Sequence, residues 1–306
     1  MSSSQLSNSG ALSTQLHRFA EYVRGRRRRS LALIIGAPVL ALLTFFVLPL
    51  LSMLWLSLHT ETGASGEFTL ANYQQLIAST TYLEILKTTL VLTVETTVIV
   101  TVVGYVLAYG IVRLSTRTNL LLLLVILPFW TNYIIRMYAW INILQPDGAL
   151  SSILMSLGLL AEPTGFLYNR AAVLVGFVYV WLPLAVLPFY ASLNNLDEDL
   201  IEAAMDLGSG PIKTFLTVTL PLTKGGIIAG ITLVAIPTFG SFITPVLLGG
   251  TNVTMIGVVI ERQFNEAFNW PLGSALGMVV TAFVILMLAL STKLGADLLG
   301  TEGEAQ

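Results

Sequence analysis

Asn194-Asn195-Leu196-Asp197-Glu198-Asp199-Leu200-Ile201-Glu202-Ala203-Ala204-Met205-Asp206-Leu207-Gly208 is an island of charge in an otherwise apolar chain. Leu196, Leu200, Ala203, Ala204 and Leu207 recur at helical spacing and make one apolar face. Glu198, Asp199, Glu202 and Asp206 fall on the other side. Asn195 or Asp197 can cap the first turn, where acidic side chains also suit the helix dipole. Gly208 supplies a left-handed stop. A second short helix can start at Pro211, a favoured first position, and should end near Leu220-Pro221, because the proline ring obstructs the turn before it. The segment 194–221 is therefore expected to fold as helix, glycine turn, helix. Its acidic amphipathic first helix suits docking into a groove on a soluble partner.

On both sides of this island the chain is apolar. Of 306 residues, 55% are hydrophobic and 10% charged, and the mean hydropathy is +0.81. A soluble domain carries about 25% charged residues, so the solvent of this chain is mostly lipid. That composition excludes a soluble enzyme, a disordered protein and a nucleic-acid binder. With 15 Lys and Arg against 17 Asp and Glu, the net charge of −2 leaves no basic surface for nucleic acid. The absence of cysteine excludes disulfides, thiolate metal sites and a Cys nucleophile. His17 and His59 are read as solvated or interfacial. Neither a catalytic constellation nor a metal site is expected.

A helix needs roughly 20 apolar residues to cross a bilayer core. Such runs lie at about 31–58, 85–112, 119–144, 171–193, 222–248 and 272–294. They predict an all-α integral membrane protein with about six transmembrane helices. The short apolar piece at 150–160 reads as interfacial or re-entrant. The first run is too long for a signal-peptide core, so Ala64-Ser65-Gly66 is not read as a cleavage site. Residues 1–30 form a basic tail ending in Arg24, Arg26, Arg27, Arg28 and Arg29, residues 31–295 the membrane domain, and residues 296–306 a second tail. The positive-inside rule places both termini in the cytoplasm, because Arg113, Arg117, Lys213, Lys224 and Lys293 then fall on the same side as the Arg cluster. The segment 194–221 lies on that side too. Glu61, Glu67, Asp147, Glu162, Glu261 and Glu266 are left outside, with Lys87, Arg170 and Arg262 as exceptions. The basic stretch can also meet anionic lipid.

Glu202-Ala203-Ala204, then Gly208, Phe215, Val218 and Leu220-Pro221, resembles the EAA loop of the membrane-spanning subunits of bacterial ABC importers that use a substrate-binding protein. Glu-Ala-Ala alone is ordinary helix composition; the full pattern, in a cytoplasmic loop two spans from the C-terminus, is specific. Leu127-Pro128-Phe129-Trp130-Thr131-Asn132 with Arg136, Tyr138, Ala139 and Trp140 is similar to the third-span signature of spermidine/putrescine-type permeases. Leu182-Pro183, Pro188, Tyr190, Leu193, Gly225 to Gly230, Pro237, Gly240, Phe242, Gly249-Gly250 and Trp270-Pro271 extend the likeness over roughly residues 70–295. The resemblance implies a type I importer permease paired with a homologous second permease. Two ATP-binding subunits would each take a coupling helix from one loop, and a soluble binding protein would deliver substrate. On this scheme Glu202, Ala203, Ala204, Asp206, Gly208, Leu220 and Pro221 transmit motion. Gly208-Ser209-Gly210-Pro211-Ile212-Lys213-Thr214 only superficially resembles a phosphate loop, since Ile212 precedes Lys213 where the pattern needs glycine. No cofactor is therefore expected in this chain, and ATP and magnesium belong to the partner ATPase.

Ionisable groups inside a membrane point to function. Glu95 lies 18 residues from Arg113, and Arg136 lies 18 residues from Thr118. In straight antiparallel helices equal offsets mean equal depth. Glu95 and Arg136 are thus expected to pair, or to face one polar cavity, with simple charge neutralisation as the structural alternative. Pro237-Thr238-Phe239-Gly240-Ser241-Phe242-Ile243-Thr244-Pro245 cannot be regular helix throughout, and broken helices build transport sites. A polycation wants carboxylates and aromatic faces. The expected pathway residues are Glu95, Asn132, Tyr133, Arg136, Trp140, Trp181, Phe239, Ser241 and Phe242. Many relatives carry an acid at or near Ser241. In this chain either the partner permease supplies that acid or the cargo is another small amine. A stand-alone secondary transporter or channel is the alternative reading, and it leaves the EAA-like loop unexplained.

Overall fold

The computed structural model describes residues 36, 38–60 and 66–303, with side chains through 293. The tail at 1–30 with its Arg cluster, His17, and the Ala64-Ser65 pair lie outside the described residues. The chain divides into two units, Met1–Trp55 and Leu56–Gln306. The helix α1 (Pro38–Ser57), nearly all of it in the first unit, is apolar and long enough to span a membrane. It is widened by a π-helical turn at Leu43–Val47.

In the second unit, helix α2 (Ala71–Ala78) leads into α3 (Thr80–Leu114). At 35 residues α3 is about 52 Å long, well beyond the hydrocarbon thickness of a bilayer. Then come α4 (Thr118–Trp130), α5 (Tyr133–Leu144), α6 (Ala149–Ser156), α7 (Arg170–Asn194), α8 (Glu198–Asp206) and α9 (Pro211–Leu222). Finally α10 (Lys224–Phe239) is followed by a π-helical turn at Pro245–Gly249, α11 (Ile256–Asn265) and α12 (Trp270–Gly303). Four helices are long and apolar enough to cross a membrane, and two bent pairs bring the number to six if each pair is one span. The expected all-α membrane architecture is thus the one found.

The third run differs from its expectation as one straight span. It bends by 95° between α4 and α5. Pro128 opens a 3-10 turn at Leu127–Trp130, whose end is closed by the Thr131 hydroxyl donating to the Pro128 carbonyl at 2.7 Å. Asn132 then caps α5, accepting from the Ile134 and Ile135 N–H groups at 2.8 and 3.4 Å. A proline stop and an asparagine start, side by side, make a corner of an apolar run. The break in the fifth run falls within the expected stretch. Helix α10 runs through Pro237 and ends at Phe239, and helical backbone resumes before Pro245.

Helices α3, α7 and α10 form the centre of the bundle. Val100, Tyr105, Ala108, Ile111, Val186, Phe189, Leu193 and Val234 are buried together in the half nearer α8. In the other half Leu92, Met137, Val173, Phe177, Val180 and Leu248 do the same. Three threonines of α3 satisfy their hydroxyls within the helix, as a low-dielectric interior favours. The hydroxyls of Thr89, Thr93 and Thr97 donate to the carbonyls four residues earlier at 2.8, 2.7 and 2.7 Å. Thr89 also accepts the first N–H of α11, that of Ile256, at 2.8 Å. One turn of α3 thereby fixes where α11 begins.

Candidate functional site

The loop at 194–221 folds as its composition demands. Asp197 caps α8, accepting from the Asp199 N–H at 3.1 Å, and Glu198 and Asp199 occupy the first turn. At the other end Gly208 takes φ +84°. Its N–H reaches the Met205 carbonyl at 2.9 Å and the Ser209 N–H reaches that of Ala204 at 3.1 Å. These two bonds are the paired closure of a Schellman stop. Pro211 starts α9 as expected. A π-helical turn at Phe215–Thr219 widens the helix ahead of Pro221, so α9 continues to Leu222, one residue past the expected end.

The apolar face of α8 is divided between two surroundings. Leu196, Ile201 and Ala204 are half-buried towards the chain itself, while Leu200, Ala203 and Leu207 stay exposed with Glu202, Met205 and Asp206. Leu207 is 88% exposed and Ile212 76%. Exposed large apolar side chains are thus grouped on α8, on the turn that leads into α9 and at the start of α9. Behind this surface α9 is fastened to α3. Phe215 sits edge-on to Tyr105 and Tyr109, with centroids 6.1 and 5.4 Å away. At the 67° bend between α9 and α10, the buried Thr223 hydroxyl bonds the Thr219 carbonyl at 2.8 Å and the Tyr105 hydroxyl at 2.6 Å. Arg113, in the last turn of α3, reaches Glu198 at 2.7 Å.

Towards the far end of the bundle the expected Glu95–Arg136 pair is not formed. Glu95 binds Arg170, the first residue of α7, through Nε at 3.0 Å and Nη2 at 2.5 Å. Equal depth of Glu95 and Arg136 requires a straight third span. The corner between α4 and α5 removes Arg136 from that register, whereas α3 and α7 are unbroken antiparallel neighbours.

Arg136 is 7% exposed, and its Nε and Nη1 have no hydrogen-bond partner. Its guanidinium carbon lies 5.7 Å from the Tyr133 ring centre and 5.9 Å from that of Phe129. Two aromatic faces stabilise a desolvated cation by about 2 kcal/mol or more each, which at most offsets the several kcal/mol lost on burial. Arg136→Met should therefore leave thermal stability in detergent unchanged or raise it, by up to about 3 kcal/mol. A marked loss of stability would mean that the guanidinium has a structural partner.

Tyr133 bonds the buried Thr244 through their hydroxyls and lies against Trp181, with ring centres 6.3 Å apart. The Trp181 indole N–H is buried without a partner. Trp140 meets Tyr179 edge-on at 5.6 Å. Asn132 is spent on the α5 cap. Phe239 lies in the core, 2% exposed and stacked on Phe283 at 3.7 Å, rather than on a cavity. Ser241 is half-buried in the break, where its N–H bonds the Thr238 carbonyl at 3.2 Å.

Phe242 does face open space. With Tyr138 and the aliphatic side chains of Ile134, Ile243, Val246 and Leu247 it lines a cavity of about 370 Å³ that Glu261, Arg262 and Glu266 complete. Glu261 and Glu266 read in the sequence only as outside charges. The signal for them was Ile256, Val259 and Ile260 at helical spacing, a short amphipathic helix whose polar side turns to the break. The cavity thus brings two aromatic rings together with two carboxylates and one guanidinium, a net acidic site.

Comparison with known proteins gives concordant results. The family model for the binding-protein-dependent transport system inner membrane component matches residues 19–301. The spermidine/putrescine transport system permease protein PotB of Escherichia coli (strain K12) is 39% identical over 251 residues, covering 81% of this chain and 91% of that protein. PotB of Haemophilus influenzae is 38% identical over 257 residues, covering 82% and 90%. Among solved structures, a chain of a bacterial alginate ABC transporter, in complex with an alginate pentasaccharide-bound periplasmic protein, superposes with a TM-score of 0.75. The match covers 87% of this chain and 93% of that one at 16% identity, a likeness of fold.

Proposed function

This chain belongs to the family of binding-protein-dependent transport system inner membrane components, and from that premise we propose that it carries a small amine of the polyamine class across the bacterial inner membrane. It is a permease subunit of an ABC importer and a multi-pass inner-membrane protein. On our reading both termini and α8 face the cytoplasm, residues 31–295 form the membrane domain, and the tails at 1–30 and 296–306 flank it. A homologous second permease completes the pathway, two ATP-binding subunits dock below, and a soluble binding protein delivers cargo outside. ATP and magnesium stay with the ATPase, and this chain performs no catalysis of its own.

The observation that carries the coupling role is α8, capped at both ends and exposing Leu200, Ala203 and Leu207 to a partner. A stand-alone transporter leaves that surface without a purpose. The amine cargo is supported by the relatives named spermidine/putrescine permeases and by the chemistry of the cavity at Tyr138, Phe242, Glu261 and Glu266. Aromatic faces and carboxylates are the groups that hold alkylammonium ions. These acids supply what Ser241 cannot.

The test is ATP-driven uptake in proteoliposomes holding this chain with its co-occurring permease, ATPase and binding protein. Spermidine or putrescine should stimulate hydrolysis and accumulate. Glu261→Gln with Glu266→Gln should raise the half-saturating concentration about tenfold or more, the loss of charge-assisted hydrogen bonds. Stimulation only by a non-amine would discard the cargo, and failure of any ATPase to co-purify would discard the importer.

A further inference from the structure

Helix α8 is held loosely. None of its residues is buried, and it packs against the start of α9 across the Gly208 turn. That turn fixes its C-terminal end. Its N-terminal end follows α7 after three residues, Asn195 to Asp197, and its side-chain tie to a second spanning helix is one ion pair, in which Arg113 Nη1 donates to Glu198 Oε1 at 2.7 Å. The two side chains differ in surroundings. Arg113 is 17% exposed and Glu198 74%, so the arginine is set in the bundle and the glutamate is what it holds. The remaining terminal nitrogen of Arg113, Nη2, is buried with no partner. Among the described residues the guanidinium is therefore engaged with Glu198 alone.

The placement also follows the helix dipoles. Arg113 lies in the last turn of α3, where a cation is favoured, and Glu198 is the first residue of α8, where an anion is favoured. Each charge suits its own helix, and together they draw the negative end of α3 to the positive end of α8. A pair with one partner this exposed adds little to global stability. Its effect is on where α8 points.

We infer that Arg113 is a positioning residue of the coupling device, a role that rests on the importer reading above. Through Glu198 it pins the leading end of α8 while Gly208 pins the trailing end. A push on α8 then moves α3 as well as α9, and α3 delivers it from near its middle to the first residue of α7 through Glu95 and Arg170. With the pin removed, α8 swings on the glycine turn, so the ATPase still docks and hydrolyses but less of its movement reaches the bundle.

The experiment compares wild type, Arg113→Glu, Glu198→Arg and the double reversal in the reconstituted complex, reading cargo moved per ATP hydrolysed. Each single reversal should lower that ratio about three- to fivefold, the range open to an exposed pair, and the double reversal should restore it in part, because the pair is remade while each charge now opposes its own helix dipole. Amide hydrogen exchange of residues 198–206 in the purified full chain gives a second readout that needs no cargo. Exchange should quicken about three- to fivefold in the singles and return in part in the double. Unchanged exchange and an unchanged ratio in the singles, or failure of the double reversal to rescue a complex that assembles, would overturn the inference. Absence of uptake by wild type would instead remove the importer reading, and the exchange data would still decide the pin.

Discussion

A chain carrying Gly208→Val inserts and packs like the native one but imports at less than about a tenth of the native rate, because its turn resists the left-handed backbone. Gly208 has φ +84°, and a Cβ added there would meet nothing within 4 Å. The penalty is therefore purely conformational. An ordinary side chain in this region costs about 1–2 kcal/mol, and a β-branched one more, since φ above zero is a genuine outlier for it. Two kcal/mol disfavours the native turn by roughly thirtyfold. Reopening the turn breaks the bonds from Gly208 and Ser209 to Met205 and Ala204 and turns Leu207 away from the stripe it shares with Leu200 and Ala203. Asn tolerates the left-handed region far better, so Gly208→Asn should keep most of the uptake. Initial uptake rates, with ATPase co-purification as a control for assembly, decide this. Native import by the valine variant would show that the turn does not set the coupling geometry.

The largest loss of stability is expected where α10 crosses α7. A methyl at Gly226 would stand 2.7 Å from the Pro188 carbonyl oxygen and overlap the Ser192 Cβ. Both obstacles are backbone or next to it, so neither can rotate away. One turn on, a methyl at Gly230 would overlap the Phe189 ring, with Cζ at 2.6 Å. Phe189 is itself fully buried. Overpacking costs about 1–3 kcal/mol where the neighbours can adjust. Here Gly226→Leu or Gly230→Leu should reach or exceed the upper end of that range and lower the yield of folded protein in the membrane. Gly225→Leu is the control on the same turn, since a Cβ there meets nothing within 4 Å. Thermal denaturation in detergent compares the three. Equal stability of all three variants would mean that α10 and α7 are not locked by these glycines.

What the sequence made legible was what is decided locally or by bulk hydropathy. The caps of α8, the Gly208 stop and the start of α9 at Pro211 each rest on one or two neighbouring residues, and they appear where those residues dictate. Gly226 and Gly230, four residues apart on one face of α10, allow the close approach to α7 that the structure has. What failed was long-range geometry. Glu95 was paired with Arg136 by counting residues along a span taken as straight, yet the corner is signalled in the same stretch by Pro128 and Asn132. Phe239 stands beside the break in sequence, but the last turn of α10 directs it to Phe283. Glu261 and Glu266 were missed for a related reason. A ten-residue helix between two spans is too short for hydropathy to register, and only the fold brings it to the broken fifth span.

The exposed apolar patch on α8 and the start of α9 has a consequence for the life of the chain in the cell. Until another subunit covers them, Leu200, Met205, Leu207 and Ile212 present water with the kind of surface that promotes aggregation and invites quality control. The abundance of this chain is thereby tied to the supply of whatever covers that patch, and overproduction of the chain alone yields material for proteases rather than a larger pool of permease.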